Sequence, residues 1–175
     1  MSVRVAWVPI LVALAMGEAH AADRTAEAGD VLQLALPAAA FGLTLGHSDK
    51  EGAFEYADTA GMTLGITYAL KYAVHERRPN GGEHSFPSGH TSISFSAAEF
   101  LRERYGWSFG GPAYAVASFV GYSRIESRAH HPRDVAAGAA IGALSAFAFT
   151  TPWAPLRIEV EGDRRGYGVA IERSW

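Results

Sequence analysis

Pro87-Ser88-Gly89-His90-Thr91-Ser92-Ile93-Ser94-Phe95-Ser96-Ala97-Ala98-Glu99-Phe100-Leu101-Arg102-Glu103 decides how this chain folds. Ser88 follows a proline and precedes a run with apolar residues at Ile93, Phe95, Ala97, Ala98, Phe100 and Leu101. That is the position of a helix N-cap, and the spacing predicts a helix over 88–103. Outward from it, further helices are expected over 31–45, 54–74, 113–122 and 134–149. The last of these is rich in small residues, among them Ala136, Ala137, Gly138, Ala139, Ala140 and Gly142. Such residues let helices approach closely. Beyond Pro152 the period changes. Leu156, Ile158 and Val160 alternate with Arg157, Glu159 and Glu161, and Tyr167, Val169 and Ile171 alternate again after a charged turn. Period-two alternation on either side of a turn predicts a hairpin. The expected fold class is all-α, a bundle of about five helices with a short C-terminal β-hairpin.

The first residues read as an address. Arg4 gives a positive start, residues 6–16 are an apolar run, and Ala19-His20-Ala21 fits an A-x-A cleavage site. The expected division is a signal peptide over 1–21, a helical domain over 22–155 and a hairpin or tail over 156–175. Export places the domain in the periplasm of a bacterial cell. An uncleaved anchor is the alternative. At 175 residues the chain is one domain with room for a core. It has no cysteine, which excludes disulfides, thiolate zinc sites and cysteine nucleophiles. Its formal net charge of −3 argues against a nucleic-acid partner. Residues 135–156 are uncharged and long enough to span a membrane, but mean hydropathy is only +0.02. The expectation is therefore a periplasmic helical domain that touches a membrane surface, with an integral bundle as the alternative.

Three short stretches carry chemistry: Lys71 with Arg78-Pro79, then Pro87-Ser88-Gly89-His90, then Ser123-Arg124 with His130 and Asp134. Together they supply three cations, two histidines, a carboxylate and a Ser-Gly pair at a helix start. Guanidinium groups bind two oxygens in a fixed fork, so Arg78 and Arg124 suit a phosphoryl group, and Lys71 adds a compact charge. Lys71 and Arg78 share a face if the helix continues to Pro79. The first turn after Ser88 offers free N–H groups to an anion, and Gly89 removes a side chain from its path. Asp134 follows His130 by four residues, with Pro132 at the start of a helix. A carboxylate on Nδ1 leaves Nε2 free to attack. His130 is then the nucleophile, Asp134 its orienter and His90 the general acid, and the reaction passes through a phosphohistidine. No metal or other cofactor is required, because the three cations supply the neutralising charge. A metal site on His90, His130, His131 and Asp134 is the competing reading, set against those same cations. Taken singly, each cation is an ordinary solvated charge and Ser88 an ordinary cap. Arg77, His84, Arg128, His131 and Arg133 flank the motifs, as a basic rim or as solvated loop charges.

In these motifs the chain resembles the type 2 phosphatidic acid phosphatase (PAP2) family, which shares its core with vanadium haloperoxidases and bacterial class A acid phosphatases. The resemblance runs from Lys71 to about Gly138, and every motif position fits. It implies a helical bundle around the pocket. It implies phosphate contacts from Lys71, Arg78, Ser88, Gly89 and Arg124, with His90 as acid, His130 as nucleophile and Asp134 as its partner. The implied function is metal-independent hydrolysis of a phosphomonoester or diphosphate, carried by a lipid or by a small ester. A vanadate-dependent haloperoxidase would use the same residues but in a much larger chain. A non-catalytic phosphate binder is the third reading.

Overall fold

The structure is a computed structural model that describes residues 8–153, 156–163 and 166–173, with side chains over 23–153. Five helices are described: α1 (Val8–Gly46), α2 (Lys50–Ala73), α3 (Gly89–Tyr105), α4 (Trp107–Glu126) and α5 (Pro132–Phe149). Two strands follow, β1 (Leu156–Asp163) and β2 (Gly166–Arg173), paired antiparallel with Leu156 opposite Arg173 and Asp163 opposite Gly166.

Ser88 caps α3 as its sequence dictates, accepting from the Thr91 amide at 3.4 Å and the Thr91 hydroxyl at 2.9 Å. The helix it starts is central and packs against the other four. Its many serines allow this, because a short side chain lets a neighbouring backbone come close. Opposite them α5 presents glycine: a Cβ on Gly138 would lie 2.5 Å from the Ser88 carbonyl oxygen, and one on Gly142 would strike the Ser92 carbonyl. The Ser88 amide also donates to the Asp134 carbonyl at 2.9 Å, so α3 and α5 start side by side.

Burial is distributed unusually. The apolar interior is mostly alanine, with Ala40, Ala97, Ala98, Ala113, Ala117 and Ala146 around Tyr56 and Phe100. Small hydroxyl residues are also fully buried, including Thr44, Thr59, Thr63, Thr67, Ser92 and Ser96. The hydroxyls of Thr44, Thr67, Ser92 and Ser96 bond locally or across helices, as Thr67 Oγ1 does to Ser92 Oγ at 2.9 Å, whereas those of Thr59 and Thr63 have no partner among the described residues. Many large apolar side chains point outward: Leu45 is 63% exposed, Phe54 74%, Leu144 67% and Phe147 66%. The Asp23–Gly46 part of α1 is long and apolar enough to cross a membrane, and only 22% of its apolar stretch is buried.

One end of the bundle is locked by charge. The Arg104 guanidinium donates to both Asp49 oxygens, at 2.8 and 2.6 Å, and to the Thr151 carbonyl at 3.0 Å. Tyr105 adds a bond to Asp49 at 2.8 Å. The chemistry-bearing residues all gather at the opposite end.

Beyond shifts of a few residues at their ends, the helices depart from expectation in three places. α1 extends well before Val31 and passes through Pro37. α4 begins at Trp107, with Gly110, Gly111 and Pro112 inside it. Gly110 is there for contact, since a Cβ would meet the Arg102 Cα at 2.7 Å. Third, α2 stops at Ala73, and Val74 is extended. Arg78 therefore does not share a helix face with Lys71 but sits on the loop that follows. The expected signal segment lies partly in residues 1–7, outside the described residues, and its side chains lie outside them throughout.

Candidate active site

The S-R-x5-H spacing has a structural reason. The Arg124 carbonyl, near the end of α4, accepts from the Ala129 amide at 3.0 Å and the His130 amide at 3.1 Å. These two hydrogen bonds close the turn and aim His130 back at the bundle end, where it is 3% exposed. Arg128, within this turn, has φ of 54°. His131 and Pro132 then open α5, with Asp134 in its first turn.

Lys71, Arg78, Gly89, His90 and His130 line a single cavity of about 550 Å³. Lys71 lies in the last turn of α2 and donates to the His84 carbonyl at 2.9 Å, while His84 Nδ1 bonds the Lys71 carbonyl at 2.9 Å. Arg78 Nε donates to the Glu83 carbonyl at 3.1 Å. A Cβ on Gly89 would make only ordinary contact with Thr67 and Lys71, at 3.7 and 3.8 Å. Packing therefore does not demand the glycine there, and what it leaves open is cavity space beside Lys71. The rest of the wall is largely apolar: Leu34 and Pro37 from α1, Leu64 and Tyr68 from α2, and Ile93 from α3.

The remaining expected residues stand behind this wall. Ser88 is fully buried as the α3 cap. Arg124 is buried and turned toward α1, with Nη1 donating to Asp30 at 2.6 Å, Nη2 to the Ala26 carbonyl at 2.6 Å and Nε to Ser123 Oγ at 3.0 Å. Asp134 is fully buried, but its carboxylate does not bond His130. Its Oδ2 lies 3.7 Å from His130 Nδ1, which makes no hydrogen bond of ordinary geometry. Instead Oδ2 accepts from Ser85 Oγ at 2.5 Å and from the His131 amide at 2.9 Å. The reason is local: Asp134 is the third residue of α5, so it caps that helix first.

Burial, aided by the charges of Arg78 and Lys71, pushes the His130 imidazole down to about 4, against the opposing pull of Asp134 and the Ser85 backbone. The ring is therefore neutral at neutral pH, with its nitrogen lone pair free of a proton. Among the described residues, Glu76, His131 and Asp134 bring potential metal-ligating atoms within 4.8 Å of one another. These groups already have protein partners: Glu76 pairs with Arg133 and, at 3.1 Å, with His131 Nδ1.

Two residues outside the motifs belong to the site. Ser85 holds Asp134, and its position just before Phe86-Pro87 carries no signal beyond a short polar side chain. Asp30 bonds both Arg124 and His90 Nε2, the latter at 3.0 Å. It stands on a helix far from the motifs in sequence, so no spacing could connect it to them.

The PAP2 superfamily profile matches residues 52–157. A lipid A 4'-phosphatase of Helicobacter pylori is 32% identical over 168 residues, covering 85% of this chain and 84% of that protein. A lipid A 1-phosphatase of Porphyromonas gingivalis is 40% identical over 106 residues, covering 57% of this chain and only 24% of that longer protein. The fold resembles the crystal structure of Aquifex aeolicus LpxE, with a TM-score of 0.55 and 23% identity over 68% of this chain and 83% of that one. It also resembles a transmembrane PAP2 type phosphatidylglycerolphosphate phosphatase from Bacillus subtilis, with a TM-score of 0.56 and 20% identity over 84% of this chain and 77% of that one. With three motifs gathered at one bundle end and relatives matched across most of its length, the chain belongs to the PAP2 superfamily and is a PAP2-type phosphatase.

Proposed function

We propose that the chain hydrolyses a lipid phosphate or diphosphate through a phosphohistidine, with the bundle set in a membrane and its site at one face. The observation that carries this is the single cavity: Lys71, Arg78, His90 and His130 at its head, and Leu34, Pro37, Leu64 and Ile93 along its wall. A small soluble ester needs the charges but has no use for the apolar wall. Relatives named as lipid A phosphatases support the same reading. So does the burial pattern, with hydroxyls inside and large apolar side chains outside, as expected where lipid is the solvent. The integral placement is thus preferred over surface contact. Residues 1–21 keep their reading as an export signal, which puts the site on the periplasmic side.

The reaction follows from the side chains. His130 Nε2 attacks phosphorus as the bond to the leaving oxygen breaks, and the electron pair departs with that oxygen. His90 gives it a proton. Lys71, Arg78 and Arg124 neutralise the equatorial oxygens. Water then attacks the phosphohistidine, His90 takes its proton, the P–N bond breaks, and phosphate and neutral His130 are released. His130 Nδ1 and Asp134 close their gap as imidazolium character develops, since such bonds tighten along the reaction.

The test is rapid quench with a 32P-labelled lipid phosphate. Acid-labile, base-stable label is expected on the wild-type protein and absent from His130→Ala. An active enzyme that never carries label rejects the covalent route.

A further inference from the structure

Asp30 lies outside every motif and outside residues 52–157 that match the family profile. Yet its Oδ1 receives both Arg124 Nη1, at 2.6 Å, and His90 Nε2, at 3.0 Å. The position on α1 is fixed twice over. Ala26, one turn earlier, offers its carbonyl to Arg124 Nη2 at 2.6 Å. A Cβ on Gly29 would run into the Ser123 and Arg124 side chains, so α1 is pressed against α4 at this point.

We infer that Asp30 is a positioning residue for the leaving-group proton: by accepting from Nε2–H it holds His90 with its transferable proton on Nδ1, and its charge supports the imidazolium. The inference rests on the reading of His90 as the acid. The other charged and titratable groups around His90 are Arg124 from α4, Arg78 from the loop after α2, Lys71 from α2 and His130 from the loop before α5. Burial and the charges of Arg124 and Arg78 work against a positive charge on the ring. Asp30 is the acid set against them, bonded to His90 Nε2 with its side chain 54% exposed. Arg124 uses the same oxygen, so one carboxylate orients both the acid and a phosphate-binding fork.

The test compares the full chain, in detergent, on dodecyl phosphate and on p-nitrophenyl phosphate. The alkoxide of the first needs a proton to leave, and the nitrophenolate of the second does not. Asp30→Asn keeps an acceptor for Arg124 but removes the charge. It is expected to lose about tenfold or more in kcat/KM on dodecyl phosphate, a ratio that reports the first, leaving-group step alone, within the range general acids contribute. On p-nitrophenyl phosphate only the smaller loss in kcat/KM that comes from a weakened Arg124 contact is expected, and Asp30→Glu recovers most of the loss on dodecyl phosphate. Equal losses on both substrates, or none on either, would overturn the inference. So would a gain in activity with tighter inhibition by inorganic phosphate, which would make Asp30 an occupant of the phosphate site. His90→Ala is the control: if it lacks the leaving-group dependence, the acid role of His90 falls and the inference with it. If His90→Ala shows the dependence and Asp30→Asn does not, only the role of Asp30 fails.

Discussion

Arg124 serves the site through both its main chain and its side chain. Its carbonyl closes the turn that presents His130, while its guanidinium spans to Asp30 and Ala26 on α1. Lysine keeps the carbonyl and the charge but has one compact head where the fork had three bonded nitrogens. Arg124→Lys therefore leaves the turn intact and cuts kcat/KM for an aryl phosphate by about 10²–10³, as for one lost transition-state donor. A loss under about tenfold means the fork is not used on the phosphate. His130 makes a second prediction. Its pKa falls from 6.5 to about 4 on folding, so between those values the unfolded chain holds the extra proton. The stability this group supplies is present above 6.5 and is lost as pH falls toward 4. In thermal melts, His130→Asn is expected to lose less stability than wild type between those pH values. Parallel curves would show that the ring is not buried neutral.

At the scale of elements, close helix contact places the site. α5 meets α3 through Gly138 and Gly142, and that contact brings His130 and Asp134 beside the α3 cap. A methyl at Gly142 must displace the Ser92 carbonyl and the Ser96 amide, both backbone. Gly142→Ala is expected to cost about 1–3 kcal/mol and to lower kcat by splaying the two helix starts. An unchanged Tm with unchanged activity would mean that the contact yields freely. Gly61, with nothing near a built Cβ, is the control. This scale also shows how far the residues spoke in advance. The Ser88 cap and the Pro132 start are local signals, and both helices begin where those residues place them. The sequence places the start of α4 only at 113, because Gly110, Gly111 and Pro112 disfavour helix in isolation. In the bundle, contact between Gly110 and Arg102 outweighs that propensity. Lys71 and Arg78 looked like one helix face, yet the chain leaves the helix at Val74 and reaches the cavity by a loop. The partners of Asp134 and the role of Asp30 were illegible for another reason. A capping carboxylate and an orienting carboxylate share one spacing, and a contact between α1 and α4 has no sequence period.

For the whole molecule, the decisive property is which solvent its surface fits. A water-soluble bundle places leucine and phenylalanine inside and leaves serine and threonine outside. Here α2 buries Thr59, Thr63 and Thr67 while Phe54, Met62 and Ile66 face out, and α5 buries Ser145 while Leu144 and Phe147 face out. Mean hydropathy of +0.02 hides this, because it averages a polar interior with an apolar exterior. Charge is segregated too, with the Arg104–Asp49 lock at one end and Lys71 and Arg78 at the cavity at the other, as in a bundle with two wet ends and a dry middle. The expected behaviour is that the expressed chain stays with membranes through alkaline carbonate and high salt and is released only by detergent. Removing detergent from the purified protein is expected to aggregate it and abolish turnover, and lipid vesicles restore both dispersity and activity. Carbonate or salt release of a monodisperse, active protein would reject membrane insertion. It would return the chain to a soluble periplasmic setting, with the outward apolar faces then needing a protein partner to cover them.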